Sequence, residues 1–182
     1  PKEDCTITKY VEPMVGGGAL LFSVLTTHNF ESLYISDINP ELINCYKVIK
    51  NDVNGLIKIL LDHQNSLFSL EKDQRRKYYY KVRDRFNTLE LNDETATEKA
   101  GLFIFLNKTC FNGLYRVNKQ GIFNVPMGDY KEPTICDKAN LKNISKALPH
   151  CQLDSFLFPY LFSCNKVIQS QFHLLHLTLF SL

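Results

Sequence analysis

The sequence predicts an α/β fold in which a short parallel sheet is followed by a mainly helical segment. Strand and helix signals alternate from Tyr10 to Ile49, whereas residues 52–100 are charged and have a helical pattern. Strands that alternate with helices pair in parallel. We therefore expect the first part of the chain to form the sheet and the helical segment to be an insertion after it.

The first strand is followed by a glycine triplet and then a helix. Tyr10-Val11 leads into Gly16-Gly17-Gly18, and the apolar residues 19–25 follow. Glycine lets the backbone turn tightly and approach a ligand closely. A bare glycine triplet is equally consistent with a structural turn, but here Glu12-Pro13 precedes it. An acid-proline pair in place of a G-x-G-x-x-G pattern favours an adenosyl sulfonium ligand over a pyrophosphate.

The second strand ends on a carboxylate. Residues 33–37 form a β-rich run that ends at Asp37, and Asn39-Pro40-Glu41 then begins a helix. Asp37 stands about 20 residues after the first turn, the spacing at which a carboxylate accepts hydrogen bonds from ribose hydroxyls. The alternative is that Asp37 caps the following helix.

The helical segment contains a strongly basic stretch. Residues 72–85 include seven Lys or Arg residues and the cluster Tyr78-Tyr79-Tyr80. The charges alone favour the solvated face of an amphipathic helix. A surface that contacts phosphates is the alternative.

A polar region with glycines follows the apolar residues 101–106. Residues 107–128 mix Asn, Gly, Arg, Lys and aromatic side chains, and Asn118-Lys119-Gln120-Gly121 predicts a hairpin turn. Residues 137–148 again predict a helix, because their apolar positions fall on one face.

Composition divides the chain into three parts. The last 31 residues contain only Asp154 and Lys166 as formal charges, against 38 charged residues before them. We therefore predict a sheet-forming, ligand-binding part in residues 1–55, the insertion in residues 56–150, and an apolar tail of foreign character in residues 151–182.

The composition of the whole chain restricts the class of protein. Six scattered cysteines without a C-x-x-C pair indicate reduced thiols in the cytoplasm and no metal site. No apolar run reaches about 18 residues, so no membrane span is expected. The net charge is only +2, so a nucleic-acid surface has to be a local patch.

Four sequence blocks, in order along the chain, carry a family resemblance. They are Tyr10 to Ala19, Ser36 to Ile43, Tyr79-Tyr80 with Arg83 to Asn87, and Phe105 to Asn118 with Gly121 to Gly128. Together they resemble the adenine-N6-specific DNA methyltransferases of the D12 class, which includes the GATC methylases. The resemblance implies a partial Rossmann-like S-adenosylmethionine-dependent methyltransferase core with a helical, hairpin-bearing target-recognition insertion.

The resemblance also implies a cofactor pocket and a DNA-reading segment. The residues implied to bind S-adenosylmethionine are Glu12, Pro13, Gly16, Gly18, Asp37 for the ribose and Ile38 beside the adenine. The residues implied to contact double-stranded DNA are Phe111, Asn112, Leu114, Arg116, Asn118 and Pro126.

The DNA-contacting residues differ in how well turn or packing chemistry explains them. Arg116 can make two parallel hydrogen bonds to guanine, and no carboxylate near it in sequence offers a salt bridge. Asn112 and Phe111 have plausible alternative roles in a turn and in packing. Arg116 is therefore the principal candidate for reading a base.

The tetrapeptide D-P-P-Y, which the resemblance implies for catalysis, has no counterpart in the sequence. The nearest string, Leu157-Phe158-Pro159-Tyr160, lacks the acid and one proline, so no catalytic residue is assigned. We expect a monomeric fragment, truncated at both ends, that holds cofactor and DNA without turnover.

Other functions remain as alternatives. A catalytically inactive DNA-binding remnant would retain DNA without methylating it. A small-molecule methyltransferase is disfavoured, because such an enzyme would not need residues 107–128. A restriction endonuclease is a further partner that the resemblance suggests.

Overall fold

The computed structural model describes residues 8–155, which form a three-stranded sheet and six α-helices. The elements in chain order are β1 (Lys9–Glu12), α1 (Ala19–Leu25), β2 (Ser32–Ser36), α2 (Pro40–Asn51), α3 (Val53–Phe68), α4 (Lys72–Thr88), α5 (Ala96–Thr109), α6 (Lys138–Ala147) and β3 (Cys151–Asp154). A single 3-10 turn, Phe111–Gly113, follows α5. The predicted α/β class is confirmed.

The sheet is parallel throughout, with strand order β1-β2-β3. Glu12 lies opposite Ile35, and Ser36 lies opposite Asp154. The carboxyl ends of all three strands therefore meet at one edge of the sheet. Ligands of open α/β sheets bind outside this edge.

The structure differs from the prediction at the start of the apolar tail. Cys151–Asp154 is a strand, and main-chain bonds at both ends join it to β2: Leu33 N–H donates to His150 O at 3.4 Å, and Asp37 N–H donates to Asp154 O at 3.3 Å. A four-residue strand held by main-chain bonds shows too little side-chain period to be recognised in sequence. The residues from 156 onward, with the string Leu157-Phe158-Pro159-Tyr160, lie outside the described residues.

The core is centred on α2 and α5. Residues 99–107 of α5 are all buried, because the helix is apolar nearly all round and other helices surround it. α3 joins the same core through Leu56 and Leu60. At Gly101 a Cβ atom would lie 2.5 Å from Cγ2 of Ile59, so glycine permits the close approach of α5 to α3.

The predicted boundary between residues 55 and 56 therefore falls inside α3. Residues before and after it belong to one continuous hydrophobic core, and α6 packs against both α2 and α3. The reason is that α3, α5 and α6 each bury an apolar face against elements of the sheet half, a long-range relationship that local composition does not reveal. The helical segment is thus an extension of the core layer.

A buried ion pair connects three of these helices. The Lys99 ammonium group on α5 donates to the carbonyl oxygens of Phe86 and Leu89 at 2.7 Å, and it lies 3.3 Å from the carboxylate of Glu41 on α2. Burial raises the pKa of Glu41, and the Lys99 charge partly opposes this shift. Lys99 thereby ties the start of α2 to the carboxyl end of α4.

The helix predicted to begin at Asn39-Pro40-Glu41 is present as α2. Asn39 accepts hydrogen bonds from the main-chain N–H groups of Glu41 and Leu42, with Pro40 in the first turn of α2. Within residues 8–155, no helix combines the length and the apolar character needed to cross a membrane.

Candidate functional site

The turn after β1 is fastened to the end of β2. Val15 N–H donates to Ser36 O at 3.0 Å, and the Ser36 hydroxyl donates to Pro13 O at 3.2 Å. Gly18 N–H donates back to Val15 O at 2.8 Å, which closes the turn before α1. These bonds hold the glycine turn over the carboxyl edge of the sheet.

Two glycines of the turn are in the left-handed region that favours glycine. Gly16 has φ +50° and Gly18 has φ +78°. A Cβ atom at Gly18 would lie 2.6 Å from the Phe22 ring and from the Tyr46 hydroxyl, whereas one at Gly16 would meet no atom within 4 Å. The close approach of Phe22 and Tyr46 to the turn therefore requires Gly18, and Gly16 leaves open space beside the main chain.

Asp37 joins the glycine turn to the start of α2. Its Oδ2 atom accepts the Gly16 N–H at 3.0 Å, and its Oδ1 atom accepts the Asn39 N–H at 2.9 Å. The alternative interpretation of Asp37 as the helix cap is wrong, because Asn39 caps α2. Each carboxylate oxygen has a second lone pair, so Asp37 can still accept hydroxyl donors from a ligand.

Glu12 lies at the carboxyl end of β1 with 9% of its surface exposed. The Tyr10 hydroxyl donates to its Oε2 atom at 2.7 Å. Burial raises the pKa of Glu12, and the hydrogen bond from Tyr10 opposes this shift. A buried carboxylate with one hydroxyl donor is well suited to stabilise a nearby cation.

Asp154 is a candidate site residue that the sequence analysis assigned to the tail. Its side chain is exposed at the carboxyl end of β3, next to Asp37 in the sheet edge. The only signal for it in sequence was its position among the two charges after Cys151. Together, Glu12, Asp37 and Asp154 place one carboxylate at the carboxyl end of each of the three strands.

The remaining two predicted cofactor residues lie at the same edge. Pro13 is partly exposed and follows Glu12 directly, and Ile38 leaves 72% of its side chain exposed. Ile38 thus presents an apolar surface beside Asp37. The six predicted cofactor residues all lie at the carboxyl ends of β1 and β2 or in the turn that follows β1, and we call the region beyond these strand ends the sheet-edge crevice.

The predicted hairpin turn is present. Val117 and Phe123 form an antiparallel bridge, and so do Cys110 and Met127. Asn118 N–H donates to Ile122 O at 2.9 Å, and Gly121, with φ +77°, closes the turn. The region 110–127 therefore forms an antiparallel loop that projects from the end of α5.

Apolar side chains are exposed at the base of this hairpin. Phe111 is 51% exposed, Leu114 is also exposed, and Pro126 accepts the Phe111 N–H at 2.8 Å. Asn112 is exposed with φ +54°, a left-handed conformation that is uncommon outside glycine. Two exposed apolar side chains and a left-handed Asn therefore lie together at the base of the hairpin.

Arg116 is held by a neighbour that the sequence analysis did not single out. Its Nε atom donates to Oδ1 of Asn124 at 2.8 Å. In residues 8–155 it has no carboxylate within salt-bridge distance, and the bond to Asn124 leaves both terminal nitrogens for another acceptor. Asn124 thus fixes the Nε side of the guanidinium group.

Asn118 has a structural role in the turn. Its Oδ1 atom accepts the N–H groups of Gln120 and Ile122, both at 3.0 Å. Its amide nitrogen takes no part in these turn bonds. The pattern that predicted the turn accounts for this side-chain bond as well.

α4 supports the return strand of the hairpin, by which we mean residues 122–127 after the turn. The Asn87 side chain exchanges two bonds with Phe123, from Nδ2 to O at 3.0 Å and from N to Oδ1 at 2.9 Å. The Tyr79 hydroxyl donates to Val125 O at 2.9 Å. An aromatic layer beneath the hairpin is made by Phe86, Phe103, Tyr115 and Phe123.

In the part of the chain that the structure describes, no group of three or more His, Cys, Asp or Glu side chains is arranged to hold a metal ion.

The sequence is similar to those of known DNA methyltransferases. The type II methyltransferase M.MjaIII of Methanocaldococcus jannaschii is 52% identical over 155 residues, which cover 84% of this chain and 53% of the relative. The type II methyltransferase M1.LlaDCHI of Lactococcus lactis subsp. cremoris is 36% identical over 76% of this chain and 45% of the relative. The DNA adenine methylase of Vibrio cholerae is 37% identical over 68% of this chain and 40% of the relative.

The chain spans about half the length of these relatives. A sequence model of the D12 class of N6 adenine-specific DNA methyltransferases matches residues 1–172. The match includes the whole described region and extends well past the change in composition at Cys151. The chain belongs to the D12 class of N6 adenine-specific DNA methyltransferases.

Proposed function

We propose that the protein to which this chain belongs methylates the N6 atom of adenine at a short site in duplex DNA, with S-adenosylmethionine as the methyl donor. The observation that carries the proposal is the combination, within one core, of a carboxylate-lined crevice at the sheet edge and a hairpin with an oriented arginine. The family membership agrees with both.

The crevice residues fit S-adenosylmethionine by their chemistry. The cofactor carries an ammonium group, a sulfonium, ribose hydroxyls and an adenine amino group, all of which are cations or hydrogen-bond donors. Glu12, Asp37 and Asp154 supply carboxylate acceptors for such groups. Ile38 supplies an apolar surface for the adenine ring, and Gly16 leaves room for close approach to the main chain.

The hairpin supplies the proposed DNA contacts. The terminal nitrogens of Arg116 match O6 and N7 of guanine in the major groove. Phe111 is exposed beside the left-handed Asn112 and can stack where a base leaves the duplex. Leu114 and Pro126 add apolar contacts, and Asn118 adds an amide donor.

The chemistry divides between cofactor and protein. The bound cofactor supplies an electrophilic methyl group on its sulfonium. The residues at the sheet edge bind and orient that cofactor, and the residues of the hairpin read the DNA. No residue of the chain is assigned to holding the target amino group.

A second function is favoured by one observation. The 182 residues contain no D-P-P-Y-like tetrapeptide, so the chain alone can occupy methylation sites as an inactive DNA-binding protein. The two functions share the crevice and the hairpin and differ only in turnover.

We further propose that the chain is a cytoplasmic monomer. The names of two relatives describe them as type II methyltransferases, and such a role would place a restriction endonuclease beside this protein in the cell.

The test combines methyl transfer and DNA retention on the same samples. The chain is incubated with tritiated S-adenosylmethionine and unmethylated duplex DNA, with Asp37→Ala as the control, and DNA binding is titrated in parallel. Incorporation that Asp37→Ala abolishes supports the methyltransferase function in this chain. DNA binding without incorporation supports the inactive DNA-binding function, and the absence of both contradicts the proposal.

A further inference from the structure

The seven basic residues of α4 fall into two groups. Lys72 pairs with Asp129 at 3.5 Å, Arg85 pairs with Glu98 at 2.8 Å, and Arg75 donates to three main-chain carbonyl oxygens. The other four have no carboxylate within salt-bridge distance in residues 8–155; they are Arg76, Lys77, Lys81 and Arg83. The structure thus separates basic residues that bond to other parts of the chain from basic residues that have no carboxylate partner within residues 8–155.

Two of the unpaired arginines flank one aromatic ring. The guanidinium carbon of Arg76 lies 5.9 Å from the centroid of the Tyr80 ring, and that of Arg83 lies 4.6 Å from it. Positions 76, 80 and 83 follow i, i+4, i+7 spacing, which places them on one face of the helix. We call this group the arginine-tyrosine stack (Arg76, Tyr80 and Arg83).

The stack is anchored to the DNA-reading hairpin. The ring of Tyr80 meets that of Tyr79 edge to face at 5.4 Å, and the Tyr79 hydroxyl bonds to Val125 in the return strand of the hairpin. Lys72, at the start of α4, pairs with Asp129, and Asn87, near its end, bonds to Phe123. The return strand therefore lies along α4. The stack therefore lies beside the hairpin, on a helix that is bonded to it.

We propose that the arginine-tyrosine stack binds the phosphodiester backbone of duplex DNA beside the base pairs that the hairpin reads, with the exposed Arg76 as its outer contact. This inference rests on the proposed function. Guanidinium groups without carboxylate partners match phosphate oxygens in charge and geometry. The ring holds both groups in place and so reduces the entropy lost on binding.

The other two unpaired residues serve as an internal comparison. Lys77 and Lys81 are exposed, and within residues 8–155 neither ammonium group lies over an aromatic ring. They correspond to the solvated helix face that the sequence also allowed. The basic stretch of α4 thus has a phosphate-binding face and a solvated face on one helix.

The experiment measures how DNA affinity depends on salt. The full chain, Arg76→Ala and the matched control Lys81→Ala are titrated against a duplex selected for tight binding and against a scrambled duplex, at several salt concentrations. A phosphate contact carries no sequence information. Arg76→Ala should therefore weaken binding to both duplexes by the same factor and lower the slope of log affinity against log salt by about 1. Lys81→Ala should leave the slope unchanged.

Melting curves of both variants confirm that each is folded before binding is compared. The phosphate assignment is overturned if Arg76→Ala keeps the wild-type slope, if its effect is confined to one duplex, or if Lys81→Ala lowers the slope equally. In those cases a wild-type chain that still discriminates between the duplexes leaves the proposed function standing. A wild-type chain that binds neither duplex contradicts the proposed function and this inference together.

Discussion

The carboxylate of Asp37 accepts the main-chain N–H of Gly16 at 3.0 Å across 21 residues of sequence. This bond fixes the glycine turn of the first strand to the end of the second strand. Its consequence is that the Asp37 carboxylate, which we propose binds the cofactor, and the open backbone at Gly16 have one fixed relative position before any ligand arrives. Such preorganisation lowers the cost of binding.

The two glycines Gly18 and Gly121 separate the effect of backbone conformation from that of packing. Both have φ near +78°, but an added Cβ meets open space at Gly121 and the Tyr46 hydroxyl at Gly18. Tyr46 is fully buried and bonded to Gly16 O, so it cannot easily move. Gly121→Ala should lower the free energy of unfolding by about 1–2 kcal/mol, and Gly18→Ala by about 1–3 kcal/mol more. Urea denaturation measures both, and equal losses would contradict the packing argument.

Glu12 should make the free energy of unfolding depend on pH in the direction opposite to that of a carboxylate whose pKa is lowered by folding. Burial raises its pKa in the folded chain, so the unfolded chain ionises first as the pH rises. The free energy of unfolding should therefore fall as the pH rises from the ordinary glutamate pKa through the raised folded value. Below this window both states are protonated and the penalty is absent.

The variant Glu12→Gln removes this titration and keeps an acceptor for the Tyr10 hydroxyl. We expect the difference in unfolding free energy between wild type and variant to change across the acidic window. Urea melts at a series of pH values measure it, and a pH-independent difference would show that Glu12 titrates normally in the folded chain.

Lys99 should be needed for the fold. Lys99→Met leaves the half-buried Glu41 without its cation and removes the donor to Phe86 O and Leu89 O. Breaking one side of a buried pair costs about 3–5 kcal/mol. The double variant Lys99→Met with Glu41→Leu should recover part of this loss, because no unpaired charge remains. Thermal and urea melts test this. A double variant no more stable than the single one would show that the unpaired charge of Glu41 is not the cause of the lost stability.

Arg116 should determine which base pair is read. Arg116→Lys keeps the charge but loses the two-pronged geometry, so discrimination against duplexes with a substituted guanine should fall by about 1–3 kcal/mol. Lys119→Ala, in the exposed tip of the same hairpin, is the matched control and should weaken all duplexes alike. Binding to a panel of single-substitution duplexes measures this, and retained discrimination in Arg116→Lys would exclude the two-bond contact.

Local signals made a large part of the fold predictable. Asn39 and Pro40 mark the start of α2 because capping and proline geometry act within one turn, and Gly121 marks the hairpin because its φ is positive. The glycine turn and Asp37 were found because a strand end followed by glycines or a carboxylate is a short-range pattern.

Long-range relationships were not accessible in the same way. The strand Cys151–Asp154 is defined by its pairing with β2 and not by its own side chains, so Asp154 was placed in a tail. The predicted boundary between residues 55 and 56 falls inside α3, whose apolar face packs against the neighbouring α2 and against α5, which is more distant in sequence. The support of Arg116 by Asn124 likewise depends on the antiparallel pairing of the hairpin.

The most direct test of the central claim is the affinity of the chain for S-adenosylmethionine, measured by titration calorimetry without DNA. Asp37→Asn should weaken binding roughly tenfold or more, because a hydrogen bond to a charged group contributes about 1.5–3 kcal/mol. The exposed Asp62 on α3 provides the matched control, and Asp62→Asn should bind like the wild type. Wild-type binding that Asp37→Asn leaves unchanged would contradict the assignment of the sheet-edge crevice as the cofactor site.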